Sequence, residues 1–424
     1  MRSFLMFLKN EIVLTAATVL AIASAFLIHP DKEYLGYVDF RTLALLFCLM
    51  AVMGGFQRLG FFRKIAQGLL KKVGTDSVRV TLVLVLLAFF FSMLITNDVG
   101  LITFVPFTFT VLELLGEETR NRLVIPVVVL ETLGANLGSM MTPIGNPQNL
   151  YLYGKAGLTV GQFLLHMLPL TILAGIMLVI WSICVGKTKG APKAQGSAVK
   201  SSEGVSKSNE NAAEEQNPRD GADGAEKLEM AFALRDADSV TVAGAKKTFL
   251  LSVYGILFLL SLLTVADVLA YPVTLGITLA CICVFDRKTL KKVDYFLLLT
   301  FIAFFVFIGN MGRIPAFADF LAGIVNGREV IVGILSSQVI SNVPAALLLS
   351  GFSDDYKALL IGVNLGGLGT LIASMASLIS YKYVARLVPD KKGKYFRYFT
   401  VANLCFLAVL LMGYFGLKML GAWG

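Results

Sequence analysis

The sequence predicts an all-α polytopic membrane protein made of two inverted-topology repeats, each with a re-entrant hairpin and a broken transmembrane helix. Three observations lead there. First, 56% of the 424 residues are apolar and only 15% are charged, against roughly 25% charged in an average soluble domain. Second, apolar runs of 17 residues or more recur from Ile12 to Leu420, the mark of helices that cross a bilayer. Third, three short motifs occur twice in the same order, and the loops beside them carry opposite charge bias in the two copies.

Arg2 and Lys9 precede the apolar run Ile12–Ile28. That run is long for the apolar region of a signal peptide, so it is read as a retained first span. A second span, 38–56, opens at Asp39-Phe40 and reaches Gly54-Gly55. In Leu59–Lys72, Arg63, Lys64, Lys71 and Lys72 alternate with Phe61, Phe62, Ile65 and Leu69, the pattern of a helix lying at the cytoplasmic membrane interface. Arms at 80–95 and 99–115 flank Thr96-Asn97-Asp98, and spans at 123–150 and 160–186 complete the first repeat, 1–186. Residues 187–247 carry 10 basic and 10 acidic residues among Ser, Ala and Gly, and read as a disordered cytoplasmic linker.

The second repeat, 248–424, has spans at 248–265, 267–285, 294–310, 358–380 and 398–421. Between them the arms 330–340 and 343–352 hold 11 and 10 residues. At about 1.5 Å per residue they are too short to cross about 30 Å of hydrocarbon, and they fit a re-entrant hairpin around Asn342. The first-half arms are long enough to span, so the hairpin there rests on the repeat, and two full spans remain open.

The repeat itself pairs Asp39-Phe40 with Asp294-Tyr295, then Ile95-Thr96-Asn97-Asp98 with Ile340-Ser341-Asn342-Val343, then Gly134-Ala135-Asn136-Leu137-Gly138 with Gly362-Val363-Asn364-Leu365-Gly366. Short cytoplasmic loops collect Lys and Arg, and here the bias flips. Residues 57–79 carry six basic and one acidic residue, whereas 312–330 carry two of each. Before the paired runs, 30–39 has one basic and three acidic residues and 286–294 has four basic and two acidic. The repeats therefore face opposite ways in a cell (inner) membrane. The N-terminus and linker are placed in the cytoplasm, and the C-terminus outside. The net charge of +9 becomes an orientation signal rather than a sign of nucleic-acid binding.

Polar residues inside the spans mark the candidate site. Thr142-Pro143-Ile144-Gly145-Asn146-Pro147-Gln148-Asn149 cannot continue as regular helix, and the carbonyls it frees need partners, which a cation can supply. Gly366-Gly367-Leu368-Gly369-Thr370, followed by Ser374 and Ser377, is flexible in the matching place, although small residues also serve close helix packing. Asp98 at the first tip is costly in a membrane unless protonated, paired or bound to a cation. Glu131 is a second such carboxyl, and a structural role remains open for both. No Lys or Arg is expected near this centre, so helix N-termini and Thr, Ser and Asn donors would hold an anion. Five cysteines sit in apolar runs without metal-ligand spacing and read as packing residues. With only two histidines, His29 and His166, the sequence offers no evident catalytic constellation and little basis for an enzyme.

At these residues the chain resembles the ion transporter superfamily, which includes arsenical pump permeases, Na⁺/H⁺ antiporters of the same fold, citrate transporters and divalent-anion/Na⁺ symporters. Within it the chain is most similar to the anion-permease branch near the arsenical pumps. The signature is a Ser-Asn-Thr-type tripeptide at each tip, here Thr96-Asn97-Asp98 and Ser341-Asn342-Val343, and a Thr-x-x-Gly-x-Pro-x-Asn-like turn, here Thr142–Asn149. The resemblance implies cation coordination by Asn97 and the Thr142–Asn149 turn in the first half. In the second half it implies coordination by Ser341, Asn342 and Gly366–Thr370, with substrate between the tips. Substrate binding is accordingly assigned to Thr96, Asn97, Thr142, Ser341, Asn342 and Thr370. The coupling ion falls to Asn97, Asp98, Glu131, Asn146, Asn149, Asn342 and Ser374.

The chain departs from the pattern at Asp98, at Val343 and at Ala373-Ser374-Met375-Ala376. An extra carboxylate argues against a dicarboxylate carried with several Na⁺ ions, and for proton or single-cation coupling. The expected function is a secondary active transporter moving an inorganic or small organic anion by alternating access, coupled to H⁺ or Na⁺, with a Na⁺/H⁺ antiporter or an anion channel as alternatives. No cofactor or metal is expected beyond Na⁺ at the coupling residues. The partners are the small anion and the lipid bilayer, and a homodimer is compatible with this reading.

Overall fold

The computed structural model describes residues 11–71, 74, 76–188 and 244–421. Arg2, Lys9 and nearly all of the 187–247 linker lie outside the described residues. Among the described residues every regular element is a helix. The first half contains α1 (Ile12–Leu27), a turn at Tyr34–Tyr37, α2 (Phe40–Arg58), α3 (Phe61–Lys71), α4 (Ser77–Ser92), α5 (Asn97–Leu114), α6 (Glu117–Ser139), α7 (Pro147–Lys155) and α8 (Val160–Lys187). The second contains α9 (Gly244–Val265), α10 (Tyr271–Phe285), a 3₁₀ turn (Arg287–Lys292), α11 (Tyr295–Gly312), α12 (Pro315–Val325), α13 (Glu329–Ile340), α14 (Asn342–Ser350), α15 (Tyr356–Gly366), α16 (Met375–Leu387) and α17 (Lys392–Met419).

Among the described residues, seven helices are long and apolar enough to cross a membrane, and eight spans result if the pair α12 and α13, bent by 106°, counts as one. The outer helices show what surrounds them. Leu165, Ile172, Ile176 and Ile180 form an exposed stripe along α8, and Phe249, Ile256, Leu259 and Leu263 form one along α9. Apolar stripes of this length are stable against lipid tails and not against water. By contrast α6 is 89% buried over its apolar window and α8 only 33%, so α6 is the axis of the bundle. In α3, Phe62 is buried while Arg63 and Lys64 are exposed, the amphipathic arrangement expected for Leu59–Lys72.

The same order of elements occurs twice. Asp39 and Asp294 open α2 and α11 alike, each carboxylate accepting the N–H of the third residue on, Thr42 and Leu297. This satisfies a donor that the helix start leaves orphaned. The tip of the first half is the short link from α4 to α5 at Met93–Thr96. In the second half, Ser341 alone turns α13 into α14, at φ 73°, a conformation that L residues adopt at a cost of about 1–3 kcal/mol. At about 1.5 Å per residue the 12-residue α13 and 9-residue α14 cover about 18 and 14 Å, as the short-arm expectation requires. The expected spans 123–150 and 358–380 each prove to be two helices, parted at Met140–Asn146 and Gly367–Ser374.

Each broken helix lies on the first arm of its own hairpin, and glycines make the approach possible. A Cβ on Gly134 would stand 3.1 Å from the Val85 carbonyl oxygen, and one on Gly138 would collide with that of Phe89. In the second half a Cβ on Gly362 would stand 2.8 Å from the Val330 carbonyl oxygen, and one on Gly366 3.0 Å from that of Gly333. Backbone meets backbone at corresponding places in both halves.

The long helices exchange partners between halves. First-half α2 packs on α10 and on the 3₁₀ turn, and second-half α11 packs on α1 and the Tyr34–Tyr37 turn. Arg58 at the end of α2 pairs with Asp286, and Arg313 just after α11 pairs with Asp31 at 2.7 Å. Asp31 precedes Arg58 by the same 27 positions that separate Asp286 from Arg313. The two pairs differ in setting. Asp286 is buried and also accepts from Tyr254 at 2.8 Å and Thr289 at 2.9 Å. Asp31 is exposed, and the Arg313 guanidinium beside it holds its carboxyl below the usual carboxylate range.

Candidate functional site

The two helix breaks meet at the middle of the bundle through asparagines. Asn97, first residue of α5, donates from Nδ2 to Asn136 Oδ1 at 2.9 Å, and its own Oδ1 accepts the Asp98 N–H at 2.9 Å. Asn136 Oδ1 also accepts from Ser374 Oγ at 3.0 Å, so one amide ties the first tip to the second break. Asn364 Nδ2 donates to Asn149 Oδ1 at 2.7 Å, joining the breaks again. Asn149 Nδ2 caps the Ser139 and Thr142 carbonyls at 3.0 and 3.1 Å, two of the acceptors that the Pro143 and Pro147 interruption releases. Asn146 donates to Ser139 Oγ at 2.7 Å, and Thr142 donates its hydroxyl to the Met93 carbonyl, pinning the break to the tip.

Several buried polar atoms in this region have no hydrogen-bond partner among the described residues: Asp98 Oδ1, Asn146 Oδ1, Asn364 Oδ1 and both amide atoms of Gln148. Buried polar groups are nearly always paired, so lone oxygens at the first break, with that of Asn364 at the second, are a ready place for a cation, a proton or water. Na⁺ takes hard oxygen donors of this kind, and a carboxyl can take H⁺ instead. Among the described residues, His, Cys, Asp and Glu form no cluster that could hold a metal ion.

Beside the first tip is a cavity of about 300 Å³. Thr96, Asp98, Asn146, Lys291, Lys292 and Asp294 are among the residues that line it. The expectation that no Lys or Arg would stand near the centre is thereby corrected. The 3₁₀ turn that carries both lysines packs against α2, where Gly54 gives way: a Cβ there would stand 2.8 Å from Lys292 Cβ.

The remaining sequence-derived residues fall outside this cavity. Asn342 donates its backbone N–H to the Ala373 carbonyl at 3.0 Å, and the Ser341 hydroxyl lies 3.4 Å from the same oxygen. Thr370 is exposed and bound to Gln338. Glu131 lies eight residues before Ser139 on α6, about 12 Å at 1.5 Å per residue, and accepts the Thr108 hydroxyl at 2.5 Å. Sequence reasoning used Asn136 and Asn364 only as repeat markers, although their matching place in the two Gly-x-Asn-Leu-Gly motifs was the signal. It missed Gln338, for which the sequence holds no comparable sign.

A multi-pass helical bundle with two interrupted helices joined by buried polar side chains is the architecture of a membrane transporter. Residues 4–354 match the family model CitMHS, described as citrate transporter; the chain belongs to this family. An uncharacterized transporter of Methanocaldococcus jannaschii is 31% identical over 379 residues, 89% of this chain and 88% of its own. The inner membrane protein YbiR of Escherichia coli is 28% identical over 404 residues, 94% of this chain and 93% of its own. The silicon efflux transporter LSI3 of Oryza sativa subsp. japonica is 35% identical over 167 residues, 38% of this chain and 32% of its own.

Proposed function

We propose that the protein is a secondary active transporter that carries a small anion or oxyacid of low charge by alternating access, driven by H⁺ or Na⁺. The observation that carries this reading is the shared cavity: Asp98, with a buried lone oxygen, faces the same space as Lys291 and Lys292. The lysines draw an anion in, and Thr96 with the N-terminus of α5 offers it hydrogen-bond donors. Asp98 and the lone oxygens of Asn146 and Asn364 hold the coupling ion. A tricarboxylate would meet the Asp98 charge at close range, so an inorganic oxyanion or oxyacid suits this wall better. The name of the rice relative, a silicon transporter, agrees with that class.

The halves work as inverted repeats. The flipped loop charge supports this, as do the exchanged Arg–Asp pairs, which a two-fold axis in the membrane plane would generate. The N-terminus and the linker are then cytoplasmic, the C-terminus is outside, and the cavity beside Lys291 opens to the cytoplasm. A Na⁺/H⁺ antiporter without an anion is the second reading, favoured by the fully buried Glu131 with its one unpartnered oxygen.

A binding panel separates the two. Purified protein is heated with arsenite, phosphate, sulfate, citrate or succinate, with and without Na⁺. A ligand at a hundred times its Kd stabilises by about 2.7 kcal/mol. The transporter reading expects a rise in unfolding temperature with at least one inorganic anion. A rise with Na⁺ or acid alone, and with no anion, would favour the antiporter.

A further inference from the structure

The second break differs from the first in how its freed backbone groups are satisfied. Gln338, on α13 three residues before the Ser341 tip, extends its amide into the break after α15. Its Nε2 stands 2.9 Å from both the Gly366 and the Leu368 carbonyl oxygens and 3.1 Å from the Ile334 carbonyl oxygen of its own helix, and its Oε1 accepts the Thr370 N–H at 2.9 Å. One side chain therefore satisfies two carbonyls and one N–H released where the helix stops. Gly369 is shaped for it. Its φ is +110°, and a Cβ there would collide with Gln338 Oε1. Interrupted helices in membranes need such partners from water, ions or side chains. At the first break Asp98 Oδ1 and Asn146 Oδ1 have no such partner among the described residues; Asn364, whose Oδ1 is also unpartnered, precedes the second break but is bonded through Nδ2 to Asn149 of the first.

Resting on the coupled-transport reading above, we infer that the Gln338 amide stands in for a second coupling cation, so that one cation, held by Asp98 and Asn146 at the first break with Asn364 across from it, drives each cycle. A neutral amide donates two N–H groups to the carbonyls that a cation would otherwise neutralise. It cannot leave, so the second half contributes no ion to the stoichiometry. Gln338 is a positioning residue that holds the second break in one shape throughout the cycle.

Two measurements test this. In proteoliposomes, the initial rate of transport is followed against Na⁺ and against H⁺ concentration. First-order dependence on the driving cation is expected, and second-order dependence in the native protein would overturn the inference. The second measurement is thermal stability of purified Gln338→Glu and Gln338→Ala across Na⁺ and pH, with K⁺ at equal ionic strength as control. A carboxylate has no N–H for the two carbonyls, and alanine leaves them bare. Both variants are expected to gain a stabilisation by Na⁺ or acid beyond that of the native protein, and Gln338→Glu to become second order in transport. If both keep the native cation dependence, Gln338 does not replace a cation. Failure of any ion gradient to drive the native protein would contradict the coupled-transport reading instead, and the stability arm would still decide the part played by Gln338.

Discussion

Replacing Asp98 with asparagine is expected to abolish accumulation of substrate against its gradient while leaving downhill exchange in place. Asparagine keeps the size of the side chain and its place in the cavity that Asn146 and the two lysines also line, and removes only the charge and the exchangeable proton. An unpaired carboxylate inside a membrane protein is costly, and its lone oxygen in the cavity wall is explained if an ion or proton visits it in each cycle. Uptake by proteoliposomes under an imposed pH or Na⁺ gradient reads this out. The variant should equilibrate the solute without concentrating it. If it concentrated the solute as well as the native protein, with the same pH profile, Asp98 would be a structural carboxyl. Unchanged unfolding temperature separates loss of coupling from loss of fold.

The largest effect on stability should come from Asp286. Its carboxylate is 6% exposed and meets Arg58, Tyr254 and Thr289 together. Removing one partner of a buried pair leaves the other charge uncompensated and costs about 3–5 kcal/mol. Asp286→Ala should therefore lower the unfolding temperature sharply, and the matching change at the other end, Asp31→Ala, should lower it little, because that pair is open to water. Replacing Arg58 and Asp286 together with Met and Leu should recover much of the loss, since the burial penalty goes with the charges. Equal small losses for Asp286→Ala and Asp31→Ala would show that the Arg58 pair is as solvated as its counterpart.

The fold was readable where its physics is local. Asp39 and Asp294 mark the starts of α2 and α11 because a short carboxylate caps the helix it precedes. The arms around Asn342 were short enough to exclude a full crossing. Span ends were less legible: α6 begins at Glu117 and α17 at Lys392, beyond the apolar windows, because hydropathy reports bilayer depth while Glu, Lys and Arg are themselves good helix formers. The Thr142–Asn149 break could be read from its prolines. Most of the site was a matter of partners distant in sequence. Nothing near Asn136 says that it will bind Asn97 and Ser374 at once. Lys291 and Lys292 belong to a loop whose charge carries orientation information, and that information hid their second place beside the cavity. Gln338 is one more polar residue on a short apolar arm until the break after Gly366 is seen to close around it.

The central claim is that an ion gradient drives a small anion or oxyacid through this protein, and the most direct measurement is accumulation in sealed proteoliposomes. Protein is reconstituted with equal concentrations of the stabilising anion on both sides, and a pH or Na⁺ gradient is then imposed. The account predicts that the anion moves away from equality while the gradient lasts and returns when an ionophore collapses it. Anion flux that never departs from equality would identify a passive pore, and cation exchange with no anion movement would identify an antiporter; either result would contradict the account.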